Sequence, residues 1–313
     1  MNRRRFLKNV STGLFVPFVA KAQPFSFNDH AFMAQGTSCP DAFATTTANA
    51  WAAQCTTNGE APIASVTTAV ANFVCDCVNA GVWSKLKMCN PCAPGTNFWY
   101  VTITPLIAGG GNQPWVVTGA GTNAPMANGL VAVGSPNVWE TAINLSTLMT
   151  SINNAGITIY GYSIPNALST DLGVYDNSNN NSFHAFLNFT GNGSLGRIGL
   201  NANGTSSAFP GNGYFSFNRI SSTDMRAFWA NSTNVHSQLG STQTGSNAGA
   251  SFINQALCPV GGLFNTPAGV YVNQATGNVW SFIALHDGLT ASQSSSLFDA
   301  VQKMRVAFGG GSR

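Results

Sequence analysis

From residue 95 onward the chain is a succession of short stretches in which large apolar residues alternate with small or polar ones: 98–103, 157–162, 183–189, 214–219, 225–229, 270–272 and 279–285. Glycine, asparagine, serine and proline separate them. Such period-two patterning marks β-strands with two distinct faces, and many short strands cut by turns call for a sandwich or barrel rather than an α/β fold. In 183–189, Phe183, Ala185, Leu187 and Phe189 share a face, and Phe215 and Phe217 do the same in the stretch after it. Two sheets packing such faces together account for the aromatic content before any ligand is invoked.

The last stretch leads into a helix. Asp287-Gly288 reads as a turn, and Thr290 with Gln293 forms a capping box that pairs two backbone N–H groups left open at a helix start. Leu297, Phe298, Val301, Met304 and Phe308 then fall on one side, and Gly309-Gly310-Gly311 ends the helix. That apolar stripe needs a partner, and the strand-rich region supplies one. Ahead of the strands, 41–57 reads as a helix with Phe43, Thr47, Trp51 and Cys55 along one stripe. After the break at Asn58-Gly59, 63–79 reads as a second helix with Ile63, Val66, Val70, Phe73, Val74 and Cys77 on one face. The expected architecture is mostly β: an antiparallel two-sheet jelly-roll sandwich (95–313), preceded by a Cys-rich helical hairpin region (23–94) and closed by a C-terminal helix.

The first 22 residues have the form of an export leader. Arg3, Arg4, Arg5 and Lys8 precede a modestly apolar run, and Ala20-Lys-Ala22 is a small-x-small cleavage pattern. Arg3-Arg4-Arg5-Phe6-Leu7-Lys8 resembles the twin-arginine export motif, with Asn2 where a Ser or Thr usually stands. The expectation is cleavage after Ala22 and a periplasmic, cell-surface or extracellular location. No later run reaches the roughly 20 apolar residues needed to span a bilayer.

Charge is scarce. Asp, Glu, Lys and Arg make up 7% of the chain, against an ordinary value of about 25%, so Asn, Ser, Thr and Gly must keep the surface wet. Five of the 13 basic residues lie in the leader, leaving eight against ten acidic ones. No basic patch remains to grip phosphates, which argues against a nucleic-acid partner.

Six of the seven cysteines fall between Cys39 and Cys92, and the seventh is Cys258. In an oxidising compartment they become disulfides, and Cys39, Cys55, Cys75, Cys89 and Cys92 are the candidates. A hairpin brings Cys39 near Cys75 or Cys77. Cys77, on the apolar face, fits a small buried hydrophobe. A four-thiolate metal site and a redox-active Cys89-Asn-Pro-Cys92 are the alternatives. Residues turn a helix by about 100° each, so Cys75 and Cys77 point almost oppositely and one ion could hardly take both.

Four strings in chain order carry a resemblance: Gly81-Val-Trp-Ser-Lys85, Asp171-Leu-Gly-Val-Tyr175, Gly213-Tyr-Phe-Ser-Phe-Asn-Arg-Ile-Ser-Ser222 and Phe282-Ile-Ala-Leu-His-Asp-Gly-Leu-Thr290. Together, over 60–310, they resemble a family of largely uncharacterised concanavalin A-like (LamG-type) jelly-roll proteins from tailed-phage, prophage and environmental bacterial genomes. The resemblance implies the sandwich with its flanking helices. By analogy it also implies a virion or surface assembly as partner and calcium as an ion, with Asp176, Asn177 and Asn179 as the residues that would hold it.

No catalytic constellation is legible. Glycosidases of this class set two or three carboxylates along one strand, but the only glutamates here are Glu60 and Glu140. Asp171 reads as bonded to backbone and Asp176 as an Asx-turn residue. His30, His184, His236 and His286 are scattered. For ligand binding the candidates are Trp229, Tyr175 and Asp176. Alternation sets Met225, Ala227 and Trp229 opposite Arg226 and Phe228, so one large aromatic is expected to face outward. Trp229 ends its stretch beside Asn231-Ser-Thr-Asn234, and Tyr175-Asp176 ends another beside an Asn-rich loop. The leading expectation is an exported non-catalytic module that binds glycan or another cell-surface polymer. The alternatives are a phage-type virion or surface structural component and a glycan-cleaving enzyme with an unrecognised site.

Overall fold

The computed structural model describes residues 39–309 except 97–99, 112, 119–123, 127, 134–137, 166–169, 177–180, 190–192, 201–203, 234, 248–249, 251, 253–258, 267, 269 and 273–275. The leader, His30, Cys258, Asn177 and Asn179 lie outside the described residues. In chain order the helices are α1 (Ala42–Asn58), α2 (Ala64–Asn79), α3 (Tyr100–Ile103), α4 (Leu145–Leu148) and α5 (Ala291–Ala307). The first strands are β1 (Leu86–Asn90), β2 (Val116–Thr118), β3 (Ala124–Met126), β4 (Gly129–Val133), β5 (Val138–Glu140) and β6 (Ala155–Ser163). Next come β7 (Leu172–Asp176), β8 (Asn181–Phe189), β9 (Gly193–Leu200), β10 (Thr205–Ser207) and β11 (Gly213–Ser221). The last are β12 (Asp224–Ala230), β13 (Ser237–Gln243), β14 (Leu263–Thr266), β15 (Val270–Val272) and β16 (Thr276–His286).

Two sheets form a sandwich. One runs β13-β12-β11-β6-β16-β4-β3 with β1 also on β16, and the other runs β10-β9-β8-β7-β14-β15. Among the described residues strand pairing is antiparallel except between β7 and β14, and a small β2–β5 ribbon adds to the expected two sheets. Register aligns Ile159 with Phe215 and Phe215 with Trp229, and likewise Ile157 with Phe217 and Phe217 with Ala227. These residues form one core with Leu172, Val174, Phe183, Ala185 and Ile198 of the six-stranded sheet. The sheets approach closely because Gly196 has no Cβ: one added there would meet the Phe217 ring. At one end Arg219, fully buried, crosses between the sheets and donates from Nε to the Ile198 carbonyl at 2.6 Å.

The other face of the eight-stranded sheet is equally apolar, because Tyr160, Tyr214, Phe282 and Ala284 project from it, and α1, α2 and α5 cover it. Asp41 caps α1, and the Thr290–Gln293 capping box starts α5 as the sequence predicts. Arg305 of α5 lies over the Tyr160 ring, 3.6 Å from its centroid. The chain uses few charges, so hydroxyls wet the outer side of α1. Thr46, Thr47, Thr56 and Thr57 each return a hydrogen bond to the carbonyl four residues back.

Several expectations are corrected. The stripe of α1 lies one residue over: Ala44, Ala48, Trp51 and Cys55 are buried, while Phe43 is half exposed. The stretch 98–103 holds the short helix α3 instead of a strand, with the Thr102 hydroxyl on the Ala93 carbonyl and the Thr104 hydroxyl on that of Tyr100. The 23–94 region also contributes β1 to the main sheet, since Asn90 pairs with Ile283 of β16.

Cys39 and Cys75 form a disulfide, whereas the candidates Cys55, Cys89 and Cys92 are free and buried, as is Cys77. Burial pushes the Cys55 thiol up to about 12 and raises those of Cys77, Cys89 and Cys92. Protonated thiols are poor nucleophiles and poor ligands, so Cys89 and Cys92 lack the character of a redox pair. The bridge closes a loop with a sequence separation of 36. On chain entropy it is worth about 4 kcal/mol. Cys39→Ser is expected to lower the unfolding free energy by about that much in urea titration, and a loss too small to resolve would show that the bridge does not constrain the unfolded chain.

Candidate functional site

The helices close one outer face of the sandwich, and the hydrophobic cluster beneath them contains no residue of the six-stranded sheet. The outer face of that sheet is therefore where a surface site can be built. Alternation decides which residues reach it. Leu172, Val174, Phe183, Ala185 and Ile198 point into the core, so Gly173, Tyr175, Ser182, His184, Phe186 and Arg197 project the other way.

Register gathers these residues across four strands. One row is Asn265, Tyr175, Ser182 and Gly199, and the next is Leu263, Gly173, His184 and Arg197. Directly opposed side chains have Cβ atoms roughly 5 Å apart, so the two rows make a patch one or two sugar rings wide. Its floor is buried: Ser182, His184, Phe186, Leu195 and Leu263 are each less than a tenth exposed. Tyr175, Arg197 and Asn265 are partly exposed and form its rim.

His184 is the centre of the patch. Its ring meets the Phe186 ring edge-on, with centroids 4.9 Å apart, and the residue stands across from Gly173, where an added Cβ would collide with the Cβ and Cα of His184. It is 2% exposed, and neither ring nitrogen has a hydrogen-bond partner. Burial, with the Arg197 charge adding to it, pushes its pKa down to about 3, so the ring is neutral at physiological pH. One nitrogen can then donate and the other accept. Asn265 Oδ1 is another buried atom without a partner. Burial lowers the Arg197 pKa, and the nearby Tyr175 opposes that shift.

The sequence candidates are not brought together. Tyr175 lies on the patch. Asp176 ends β7 on the core side, buried and opposite Asn181. Trp229, expected to face outward, is instead in the inter-sheet core. Phe228 on the opposite side is buried too, stacked on His236 with centroids 5.0 Å apart. Both aromatics are inside because that sheet is covered on both faces. His184, Arg197 and Asn265 were not singled out from sequence for this site; the signal available was that His184 and Phe186 alternate with three core residues.

Two buried polar clusters elsewhere look like chemistry and are architecture. Asp171 accepts from Leu187 N at 2.6 Å, Trp280 Nε1 at 2.7 Å and Asn278 Nδ2 at 2.9 Å. Burial raises its pKa to about 6 against those three bonds. His286 Nε2 meets Thr158 Oγ1 at 2.8 Å, and Thr158 Oγ1 meets Ser216 Oγ at 2.9 Å, a base-and-hydroxyl arrangement. All of these side chains are fully buried, and the His286 chain lies beneath the helical layer, beyond reach of a substrate. Among the described residues no three His, Cys, Asp or Glu side chains group as metal ligands, and no helix is long and apolar enough to cross a membrane.

No protein-family model and no curated protein matches the sequence. Two solved structures are similar in part. Domain 4 of AbnA, a GH43 extracellular arabinanase from Geobacillus stearothermophilus in complex with arabinotriose, aligns at 13% identity and a TM-score of 0.41, over 68% of this chain and 98% of that one. Trypanosoma rangeli sialidase in complex with 2,3-difluorosialic acid, a covalent intermediate, aligns at 14% identity and a TM-score of 0.37, over 69% of this chain and 33% of that one. Likeness of this degree assigns no function.

Proposed function

We propose that this is an exported, non-catalytic jelly-roll protein that binds a glycan or another cell-surface polymer on the outer face of its six-stranded sheet. The observation that carries the reading is the rim of that face, where Tyr175, Arg197 and Asn265 stand partly exposed around a floor of Ser182, His184 and Phe186. Flat rings beside donors and acceptors suit the alternating apolar and hydroxyl edges of a sugar. The Cys39–Cys75 bridge and the leader pattern support export.

Affinity electrophoresis of the mature protein against arabinan, xylan, dextran, pectin and peptidoglycan is the test. At least one polymer should retard it. Tyr175→Ala is expected to keep the melting temperature within a few degrees and weaken retention about tenfold, the loss of roughly 1.4 kcal/mol of ring contact. Retardation by none of these polymers, or equal retardation of the variant, would reject the reading. Release of reducing ends in the same incubation would instead identify an enzyme.

A further inference from the structure

Resting on the export part of that reading, we infer that the chain leaves the cell interior already folded, and that the Cys39–Cys75 bridge closes on the finished domain after the other described cysteines have been sealed inside it. The placement of the cysteines carries the step. Cys39 stands exposed ahead of α1, and its bridge to Cys75 is the one disulfide among the described residues. Cys55, Cys77, Cys89 and Cys92 are free, and each is no more than 3% exposed. Cys55 lies in the buried stripe of α1 and Cys77 in the buried face of α2, while Cys89 sits in β1 opposite Ala284 of β16 and Cys92 lies in the inter-sheet core. A chain that keeps four thiols reduced in an oxidising compartment must deny them to the oxidant.

An unfolded chain would make other bridges. The entropic cost of closing a loop rises with its length, so Cys89 with Cys92, or Cys77 with Cys89, closes more readily than Cys39 with Cys75, whose separation is 36. The folded protein holds the opposite pattern, with the short-range pairs open and the long-range pair closed. Backbone pairing fixes Cys89 in place: it exchanges two bonds with Ile107, each 3.0 Å. The Cys92 N–H is held by Asn90 Oδ1 at 2.8 Å. Burial also keeps the four thiols protonated, and the thiolate is the form that attacks a disulfide. Cys39 is then the sulfur an oxidant can reach, since Cys75 is fully buried. The oxidant is itself a disulfide, on an oxidoreductase or a small thiol outside the cytoplasm. The Cys39 thiolate attacks it, one oxidant sulfur leaves, and Cys75 displaces the other from Cys39. Two electrons pass to the oxidant, whose two sulfurs end as thiols carrying the cysteine protons. The leader agrees, because the twin-arginine motif that Arg3-Arg4-Arg5-Phe6-Leu7-Lys8 resembles addresses a route for folded cargo.

The order of oxidation and folding can be set in the tube. Reduced without denaturant, the protein should lose the Cys39–Cys75 bridge while Cys55, Cys77, Cys89 and Cys92 stay closed to iodoacetamide, and oxidised glutathione should restore that bridge alone. Denatured and reduced protein that is refolded first and then given oxidised glutathione should recover the same form. Given the oxidant before refolding, it should recover roughly tenfold less, with bridges among Cys77, Cys89 and Cys92 in the remainder of the non-reducing peptide map. Equal recovery in the two orders, or native alkylation of the four thiols, overturns the inference. In a bacterial host, the full chain carrying Arg3→Lys and Arg4→Lys should stay in the cytoplasm with Cys39 and Cys75 reduced. Undiminished export of that variant overturns folded passage and leaves the export reading standing. A parent chain found wholly in the cytoplasm with its leader intact removes both.

Discussion

Replacing Asp171 with alanine is expected to destabilise the fold by about 4 kcal/mol, from a buried-charge network whose donors then lose their acceptor at roughly 1–3 kcal/mol each. The carboxylate joins three parts of the sandwich at once: it holds the β8 backbone at Leu187 and the side chains of Asn278 and Trp280 in β16. The Asp171 backbone also donates to the Ala185 carbonyl and accepts from Gly261 N, so the side chain sits where β7, β8 and the segment leading into β14 converge. Asp171→Asn separates charge from hydrogen bonding. Its single carbonyl oxygen can keep the Asn278 and Trp280 bonds, while its NH2 group would face the Leu187 N–H. The neutral amide also avoids desolvating a carboxylate. A loss of about 1–2 kcal/mol is therefore expected for Asn, well short of that for Ala. Urea titration followed by tryptophan fluorescence reads both, since Trp280 is part of the network. An alanine variant within 1 kcal/mol of the parent protein would show the network to be dispensable.

What the sequence reveals is what local chemistry decides. The strand that ends at His286, the turn at Asp287 and the capped start of α5 were all legible, because alternation, turn residues and a capping box each act within a few positions. That Cys39 meets Cys75 or Cys77 was legible for a similar reason, since the hairpin fixes which ends meet; the structure selects Cys75. Trp229 was misread at the next level of organisation. Alternation correctly separated it from Phe228, but no local rule says that three helices bury the far face of that sheet. The 98–103 stretch misled through composition: its β-branched and aromatic residues favour strands, yet Trp51 of α1 donates to the Thr104 carbonyl and the segment coils into α3. The patch around His184 is the least legible of all. Tyr175 and Asn265 are 90 positions apart and meet through the parallel β7–β14 pair, whose register is a property of the whole sheet.

Acid should weaken this protein between pH 7 and pH 4, because its buried histidines resist taking up protons. Burial holds His184 at about 3 and both His236 and His286 at about 4, against an ordinary value of 6.5. For His286 the geometry explains the resistance. Nδ1 lies 2.8 Å from the Asp287 carbonyl and therefore carries the proton, leaving Nε2 to accept from Thr158. A second proton would force Thr158 to turn its hydroxyl towards Ser216. The ring also fills the space left by Gly156, which has no Cβ, so it cannot swing away. Asp287 favours the charged ring and Lys85 opposes it, but burial outweighs both. The sign follows from linkage. A folded-state pKa below the unfolded one gives stability that is present above pH 6.5 and lost as pH falls towards 4, at roughly 3 kcal/mol for each of the two fully enclosed rings, His184 and His286. Asp171 works the other way: its pKa is raised from 3.8 to about 6, so its contribution is full below 3.8 and lost as pH rises through about 6. It returns about 3 kcal/mol over the same descent, which leaves a net loss of about 3 kcal/mol at pH 4. His286→Gln should cost stability at pH 7 and reduce the fall between pH 7 and pH 4 by about 3 kcal/mol, measured by urea titration at both values. Equal unfolding free energies at pH 7 and pH 4 in the parent protein would show that these rings are protonated without strain on the fold.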